Sequence, residues 1–134
     1  MKVINKVFVV TGAGSGMGRE LSLQLIKKGA RIAMADINEK GMSETAEMAG
    51  HSNISIHKLD ISELNQVETF PATVRDKHGQ VDGIINNAGI IQPFVNVSEL
   101  DYGTIQRIMN INFYGTVNMT KTFLPHLLKR PEAY

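Results

Sequence analysis

The sequence predicts an α/β fold built on a doubly wound parallel sheet of about four strands in the order 3-2-1-4, with helices on both faces. Short apolar runs alternate with longer amphipathic ones along all 134 residues, which indicates strands joined by crossover helices. A glycine-rich turn, residues 11–18, directly follows the first apolar run. Right-handed crossovers and a turn of this kind after the first strand favour that strand order. We expect one domain, because the chain shows no internal repeat and no linker.

The first half of the chain is predicted to form two strands and two helices. Residues 7–10 are continuously apolar, as in a strand covered on both faces, and residues 31–35 form the second strand. The helix after the glycine turn carries Met17, Leu21 and Leu25 at four-residue spacing, which indicates a buried stripe. Gly29 is placed to end this helix. Asn38 is placed to cap the next one.

The second half is predicted to add two more strands and two helices. Residues 54–59 and 81–85 form the strands, and Ser62 is placed to cap the intervening helix, which Pro71 should kink. Ser98 and Asp101 resemble a capping box. A last helix, residues 111–128, should be buried on two sides, because it carries two apolar stripes. One stripe comprises Phe113, Val117, Leu124 and Leu128, and the other comprises Met119, Phe123 and Leu127.

Composition excludes several classes of function. The chain is 43% hydrophobic and 20% charged with a net charge of +1, which predicts no bulk attraction to nucleic acid or to an anionic membrane. It has no cysteine, so disulfides and thiolate metal sites are excluded, and its four scattered histidines predict no metal site. No window approaches the ~18 apolar residues of a membrane span, and the N-terminus lacks a signal-peptide pattern. We expect a cytoplasmic location.

The glycine turn reads T-G-A-G-S-G-M-G and predicts a phosphate-binding loop between a strand and a helix. Such a loop needs one glycine for a tight turn, one for close approach of the pyrophosphate, and one for helix–strand packing. Gly12, Gly16 and Gly18 fit these needs, in the spacing T-G-x-x-x-G-x-G. Ser15 and Met17 lie within the loop and are expected to contact the cofactor. The alternative is a flexible loop with a chance excess of glycine.

Two acidic residues follow strands two and three. Asp36 comes 20 residues after Gly16 and is expected to accept hydrogen bonds from an adenosine ribose. Its charge would repel a 2′-phosphate, and neither the next two residues nor the loop supplies a cation, which favours NAD over NADP. Asp60, with Ile61 beside it, is expected to lie at the adenine. Asp60 is equally explained as a turn residue.

The sequence N-N-A-G at residues 86–89 makes the pattern specific. Together with the glycine turn, Asp36 and Asp60, it resembles the short-chain dehydrogenase/reductase family from residue 7 to about residue 128. The resemblance implies a Rossmann-type fold and NAD(P)-dependent oxidation or reduction of a small-molecule alcohol or carbonyl. It also implies that Asn87, Ala88 and Gly89 line the cofactor and steady the central strand.

The resemblance further implies that Asn112 is the active-site asparagine, which helps to hold a water in a proton relay. The bland alternative is a polar residue that relieves strain in a long helix. The family's catalytic pattern Y-x-x-x-K is missing, since Tyr102 is followed four residues later by Gln106 and Tyr114 by Asn118. We therefore expect residues 1–134 to be the cofactor-binding part of such an oxidoreductase, with the Rossmann-type sheet truncated after about four strands.

Two alternatives stay open. The chain is either a nucleotide-binding module without hydride transfer or a self-associating fragment. An open edge on the fourth strand and a last helix that is apolar on two sides both predict a homo-oligomer.

Overall fold

The computed structural model describes residues 2–134 and contains a four-stranded parallel sheet in the order β3-β2-β1-β4. This order confirms the prediction from sequence. The chain passes from strand to helix to strand, and each helical crossover returns it to the end of the sheet where all strands begin. The strands are β1 (Val7–Thr11), β2 (Arg31–Asp36), β3 (Ile54–Lys58) and β4 (Gly83–Ile85).

Within residues 2–134, five α-helices connect or follow the strands. They are α1 (Gly16–Lys27), α2 (Glu39–Met48), α3 (Leu64–His78), α4 (Tyr102–Ile108) and α5 (Thr116–Leu127). A short 3₁₀ helix (Val97–Glu99) precedes α4, and a π-helical segment (Met109–Gly115) joins α4 to α5.

The sheet separates two hydrophobic cores, as expected for helices on both faces. Val7 and Val9 point into the core formed with α3 and α5, whereas Phe8 and Val10 point into the core formed with α1 and α2. Successive side chains of a strand point to opposite faces, so a strand between two helical layers must be apolar at every position. All four side chains are at most 1% exposed, which explains the uninterrupted apolar run.

Several predicted helix ends are confirmed. Gly29 follows the C-cap Lys28 of α1 with a φ of +86°, in the left-handed region where glycine costs least. Gly79, the C-cap of α3, adopts the same conformation with a φ of +79°. The Asn38 Oδ1 atom accepts a hydrogen bond from the Gly41 amide at 3.0 Å and caps α2. The glycine and asparagine residues at these positions therefore predict where the helices end and begin.

The buried face of α1 differs from the predicted stripe. Met17 and Leu21 are 77% and 39% exposed, and the buried residues are Gly18, Ser22 and Leu25. The helix begins immediately after a tight turn and lies close to β1, so its first two turns present small residues to the sheet. Ser22 satisfies its hydroxyl within the helix by donating to the Gly18 carbonyl at 2.8 Å.

Two predicted caps are also wrong. Helix α3 begins at Leu64, because Ser62 donates through its amide and hydroxyl to Asp60 Oδ1, at 2.9 Å and 2.6 Å, instead of capping the helix. The Ser98–Asp101 box is replaced by two separate caps. Asn96 and Glu99 form the box of the 3₁₀ helix, and Asp101 accepts from the Thr104 amide at 2.8 Å at the start of α4. Helix α3 runs on through Pro71.

The last helical stretch starts earlier than predicted and buries one stripe. Residues 102–127 are helical throughout, with the π segment between α4 and α5. Met119, Phe123 and Leu127 are buried against the sheet, whereas Leu124 and Leu128 are 46% and 76% exposed. Leu124 and Leu128 follow Phe123 and Leu127 by one residue, so the two stripes lie about 100° apart around the helix, and the described residues form a layer against one of them only.

A buried carboxylate holds the amino ends of β1 and β4 together. Asp82 Oδ2 accepts from the Val7 amide at 2.8 Å, and Asp82 Oδ1 accepts from Arg130 Nε at 2.9 Å. Burial raises the pKa of Asp82, but hydrogen bonds from Val7, Arg130 and Gln80 outweigh that effect and hold the pKa below its usual value. Contrary to the prediction, the edge of β4 is not open, because the Tyr134 amide donates to the Asp82 carbonyl at 2.9 Å and the Tyr134 carbonyl accepts from the Ile84 amide at 3.0 Å.

Candidate cofactor site

A cleft of about 670 Å³ lies at the carboxyl edge of the sheet, where parallel α/β sheets bind their ligands. The ends of β1, β2 and β4 and the segment after β3 meet there, because parallel strands all end at the same edge. The predicted site residues that line this cleft are Gly12, Ser15, Gly16, Met17, Asp36, Asp60, Ile61, Asn87, Ala88 and Gly89. Gly18 and Asn112 lie just outside the lining.

The three motif glycines of the turn meet three different steric demands. Gly12 and Gly16 adopt positive φ angles of +69° and +51°. A Cβ at Gly18 would overlap the Gly12 carbonyl oxygen and lie 2.6 Å from Asn87 Nδ2, so this glycine permits the close approach of α1 and β1. A Cβ at Gly16 would meet no atom within 4 Å, because this position faces the open cleft. Gly12 thus serves a tight turn and Gly18 close helix–strand packing, while a role of Gly16 in the approach of a phosphate stays a prediction.

The first turn of α1 presents backbone donors to the cleft. Ser15 occupies the N-cap position without a side-chain capping hydrogen bond within the described residues, and the first turn carries no acidic residue. The first amides of any α-helix lack intrahelical acceptors, and the helix dipole adds positive potential at the same place. Backbone donors beside a bare glycine therefore suit a phosphate group.

Asp36 is held in a fixed orientation at the end of β2. Its Oδ2 atom accepts from the Gly14 amide and its Oδ1 atom accepts from the Asn38 amide, both at 2.9 Å. Backbone donors thus hold a carboxylate at the rim of the cleft beside the glycine turn. Each oxygen keeps a further lone pair for a hydroxyl donor.

Asp60 shows the turn geometry that was the alternative explanation for it. Its Oδ1 atom accepts hydrogen bonds from the Ser62 amide and hydroxyl, and its Oδ2 atom makes no hydrogen bond within residues 2–134. Ile61 lines the cleft but is largely buried, because its side chain packs against Gly115. The two interpretations of Asp60 are compatible, because Asp60 lines the cleft and the Asx turn uses only one of its carboxylate oxygens.

Thr11 joins β1 to the N-N-A-G segment, a role that the sequence did not reveal. Its hydroxyl accepts from the amides of Asn87 and Ala88, both at 3.0 Å, and donates to the Ile85 carbonyl at 3.3 Å. Asn87 Nδ2 returns a bond to the Thr11 carbonyl at 3.0 Å. The sole signal for Thr11 was its place directly before the first glycine of the turn.

Asn112 lies in the π-helical segment and ties it to the chain after β4. Its Nδ2 donates to the Ile90 carbonyl at 2.8 Å, and its Oδ1 accepts from the Ile90 amide at 2.9 Å. Both ends of the amide are therefore used by one backbone unit. The proton-relay role stays a prediction, and the positioning of residue 90 is what the geometry itself provides.

A serine and two histidines cluster away from the cleft, on the edge strand β3 and the end of α3. Ser55 Oγ lies 2.6 Å from His57 Nε2 and 2.7 Å from His78 Nε2. Burial, followed by the charges of His78 and Lys77, lowers the pKa of His57 to about 4. Residues 2–134 contain no group of three or more His, Asp or Glu side chains placed to hold a metal ion. None of their helices is long and apolar enough to cross a membrane.

A parallel sheet in the order 3-2-1-4, with a glycine turn between β1 and α1 opening on the carboxyl-edge cleft, defines the Rossmann-type α/β class. Within this class the chain belongs to the short chain dehydrogenase family, whose profile matches residues 6–133.

Named relatives and solved structures agree with this assignment. SadH of Mycobacterium tuberculosis, designated an oxidoreductase, is 38% identical over 131 residues, which cover 96% of this chain and 47% of SadH. The 11-beta-hydroxysteroid dehydrogenase A of Sesamum indicum is 32% identical over 128 residues, 93% of this chain and 37% of that protein.

Among solved structures, the 3-ketoacyl-(acyl-carrier-protein) reductase of Brucella melitensis, complexed with NADH, aligns with a TM-score of 0.88 at 31% identity. The alignment covers 92% of this chain and 50% of the reductase. Levodione reductase shares the fold with a TM-score of 0.91 at 24% identity, over 98% of this chain and 52% of the reductase. The chain thus spans about half the length, or less, of the relatives it matches.

Proposed function

We propose that this chain holds NAD(H) as the cofactor-binding portion of an NAD-dependent oxidoreductase that acts on an alcohol or carbonyl substrate. The observation that carries the proposal is the uncapped first turn of α1, which opens on the same cleft as the fixed carboxylate of Asp36. The likeness to a reductase complexed with NADH supports it.

Each part of the dinucleotide has a chemical counterpart in the cleft. The backbone amides of Gly16 and Met17 would bind the pyrophosphate, and Asp36 would accept from the ribose hydroxyls. Asp60 and Ile61 would flank the adenine, while the backbone of residues 87–89 would support the cofactor from the β4 side. When bound, the nicotinamide ring supplies the hydride acceptor or donor.

The charges around Asp36 favour NAD over NADP. A 2′-phosphate would meet the Asp36 carboxylate, and it would need a free cation to offset the repulsion. Two cations near this region already form ion pairs, since Arg19 lies 2.9 Å from Glu44 and Lys58 lies 3.1 Å from Glu39. Arg107 of α4 also lines the cleft, and Asp36 is the group that would oppose a 2′-phosphate directly.

Calorimetric titration of the chain with NADH and NADPH tests this proposal. We expect NADH to bind more tightly than NADPH. We expect Asp36→Ala to weaken NADH binding about 10-fold or more, as the loss of hydrogen bonds to a charged group implies, and to narrow the difference between the cofactors. Asp76→Ala is the matched control, because it removes an exposed aspartate on α3, and it should leave both affinities unchanged. No heat and no thermal shift at millimolar NADH, or an unchanged preference in Asp36→Ala, would contradict the proposal.

We propose that the chain by itself binds the cofactor without efficient turnover. Its sequence has no Y-x-x-x-K to donate and accept a proton, and general acid–base help contributes roughly 10²- to 10⁴-fold. Asn112 supports backbone geometry but supplies no acid. Steady oxidation of NADH with a panel of ketones by this chain would show that the proton donor lies within residues 1–134 after all.

We also propose that the chain associates with a second copy of itself. The exposed stripe of α5, with Leu124 and Leu128, continues into Phe113, which is also exposed. Apolar side chains aligned on one helix face suit a matching face of another copy. Light scattering should give more than the mass of one chain, and Leu124→Glu with Leu128→Glu should restore a monomer. A monomer at high concentration in the unmodified chain would refute this.

A further inference from the structure

The glycine turn is supported on the side facing away from the cleft by a cluster of α1 and α2 residues. Arg19, the residue after the last motif glycine, is 23% exposed and extends between the two helices. Its Nη2 atom lies 2.7 Å from the Gly14 carbonyl, 2.9 Å from Glu44 Oε2 and 3.2 Å from the Gly41 carbonyl. Its Nε donates to Thr45 Oγ1 at 3.0 Å. One guanidinium thus joins the turn to α2 through four oxygen atoms.

Helix α2 also touches the turn directly. Thr45 is fully buried, and its hydroxyl lies 3.1 Å from the Ala13 carbonyl and 2.9 Å from the Gly41 carbonyl. A Cβ at Gly41 would overlap the Gly14 carbonyl oxygen, so the backbones of helix and turn are in contact there. On the other side of Gly14, its amide donates to Asp36 Oδ2. The peptide groups on both sides of Gly14 are therefore held by side chains.

We infer that Arg19 is a positioning residue for the dinucleotide, which fixes the shape of the glycine turn from behind through α2. The inference rests on the proposed cofactor function. Arg19 and Gly14 are absent from the residues lining the cleft, whereas Ser15, Gly16 and Met17 line it. The guanidinium binds the turn's carbonyl on the α2 side, and the helix amides remain directed at the cleft. Arg19 thus acts on a phosphate through the turn rather than by contact.

The test compares Arg19→Met with the matched control Arg31→Met. Arg31 also donates to backbone carbonyls, those of His78 at 2.9 Å and Asn5 at 3.5 Å, but it begins β2 and lies at the opposite end of that strand from Asp36. Two quantities are measured: amide hydrogen exchange in residues 12–15 without nucleotide, and the Kd for NADH. We expect Arg19→Met to speed exchange in the turn and to raise the Kd about 10-fold, and Arg31→Met to change neither by more than about 2-fold.

Arg19→Lys separates positioning from a direct charge contact. A single ammonium does not reproduce the fork that reaches Gly14 and Thr45 together, so we expect binding as weak as in Arg19→Met. Wild-type affinity in Arg19→Lys, unchanged exchange in Arg19→Met, or equal losses in Arg19→Met and Arg31→Met would each overturn the inference. If Arg19→Met does not fold, Thr45→Val decides by the same two measurements, since it removes the hydroxyl and keeps the shape. If the unmodified chain does not bind NADH, the proposed function fails, and the exchange rates still test whether Arg19 holds the turn.

Discussion

A methyl group added at two glycines of the turn should have opposite consequences. Gly16 and Gly18 are two residues apart, but a Cβ at Gly16 would enter open space, whereas one at Gly18 would overlap the Gly12 carbonyl oxygen. We predict that Gly16→Ala mainly impairs cofactor binding and that Gly18→Ala mainly impairs folding.

The magnitudes follow from the local geometry. In Gly18→Ala the methyl would also lie 2.6 Å from Asn87 Nδ2, against an ordinary contact distance of 3.4 Å or more. The overlapping atom is a backbone oxygen that cannot rotate away, so we place the cost at the upper end of overpacking, about 3 kcal/mol. In Gly16→Ala the cost is that of a left-handed residue at φ +51°, about 1 kcal/mol. For a domain of this size these costs correspond to Tm losses of roughly 10–15 °C and 3–5 °C.

Thermal unfolding followed by circular dichroism, without nucleotide, gives the stabilities, and a titration with NADH gives the affinities. Gly16→Ala should remain folded at 25 °C and bind NADH at least about 10-fold more weakly, because the methyl occupies space that a phosphate would need. Equal Tm losses in the two variants, or wild-type affinity in Gly16→Ala, would refute the assignment of Gly16 to the cleft and Gly18 to helix–strand packing.

Two further predictions concern groups outside the cleft. The pKa of His57 is about 4 in the folded chain against 6.5 unfolded, so the unfolded chain binds the extra proton between these values and stability falls as pH falls from about 6.5 to 4. Because His57 is partly exposed, we expect the free energy of unfolding to fall by roughly 1–2 kcal/mol, measured by urea unfolding at pH 7 and 4.5. The same dependence of stability on pH in His57→Phe would contradict this prediction. Arg130→Met should cost about 3 kcal/mol, since it leaves the buried Asp82 carboxylate with less compensation, and a Tm within 2 °C of the unmodified chain would show that the pair is dispensable.

The strand order and the position of the glycine turn at the carboxyl edge of the sheet could be predicted from sequence because both depend on local patterns. Buried parallel strands must be apolar at every position, and the glycine turn marks the strand whose carboxyl end faces the ligand. The stripe of α1 could not be predicted in the same way. Hydrophobic periodicity assumes that large side chains are buried, yet the close approach of α1 to β1 buries Gly18 and Ser22 and leaves Met17 exposed.

The hydrogen-bond partners of several residues also could not be predicted from the sequence. Thr11 binds Asn87, which is 76 positions away in the sequence. Asn112 binds Ile90 from a π-helical segment, which hydrophobic periodicity does not predict. Ser62 was misassigned because a neighbouring carboxylate, that of Asp60, competes for its hydroxyl. The partners of Thr11 and Asn112 are set by the sheet topology, whereas the partner of Ser62 lies only two residues away.

The composition of the turn explains why it needs support from behind. Fixing one residue's backbone costs about 1–2 kcal/mol, and glycine loses more freedom than any other residue. Close contacts at Gly12 and Gly18 exclude side chains there, and the positive φ at Gly16 disfavours one, so the turn lacks side chains that would restrict it from within. Its order must therefore come from hydrogen bonds to neighbouring elements, and Arg19 provides one at the Gly14 carbonyl, 2.7 Å away. A phosphate that binds a turn already held in shape does not have to order it. Affinity for the cofactor should therefore depend on side chains of α1 and α2 that never touch it, Arg19 and Thr45.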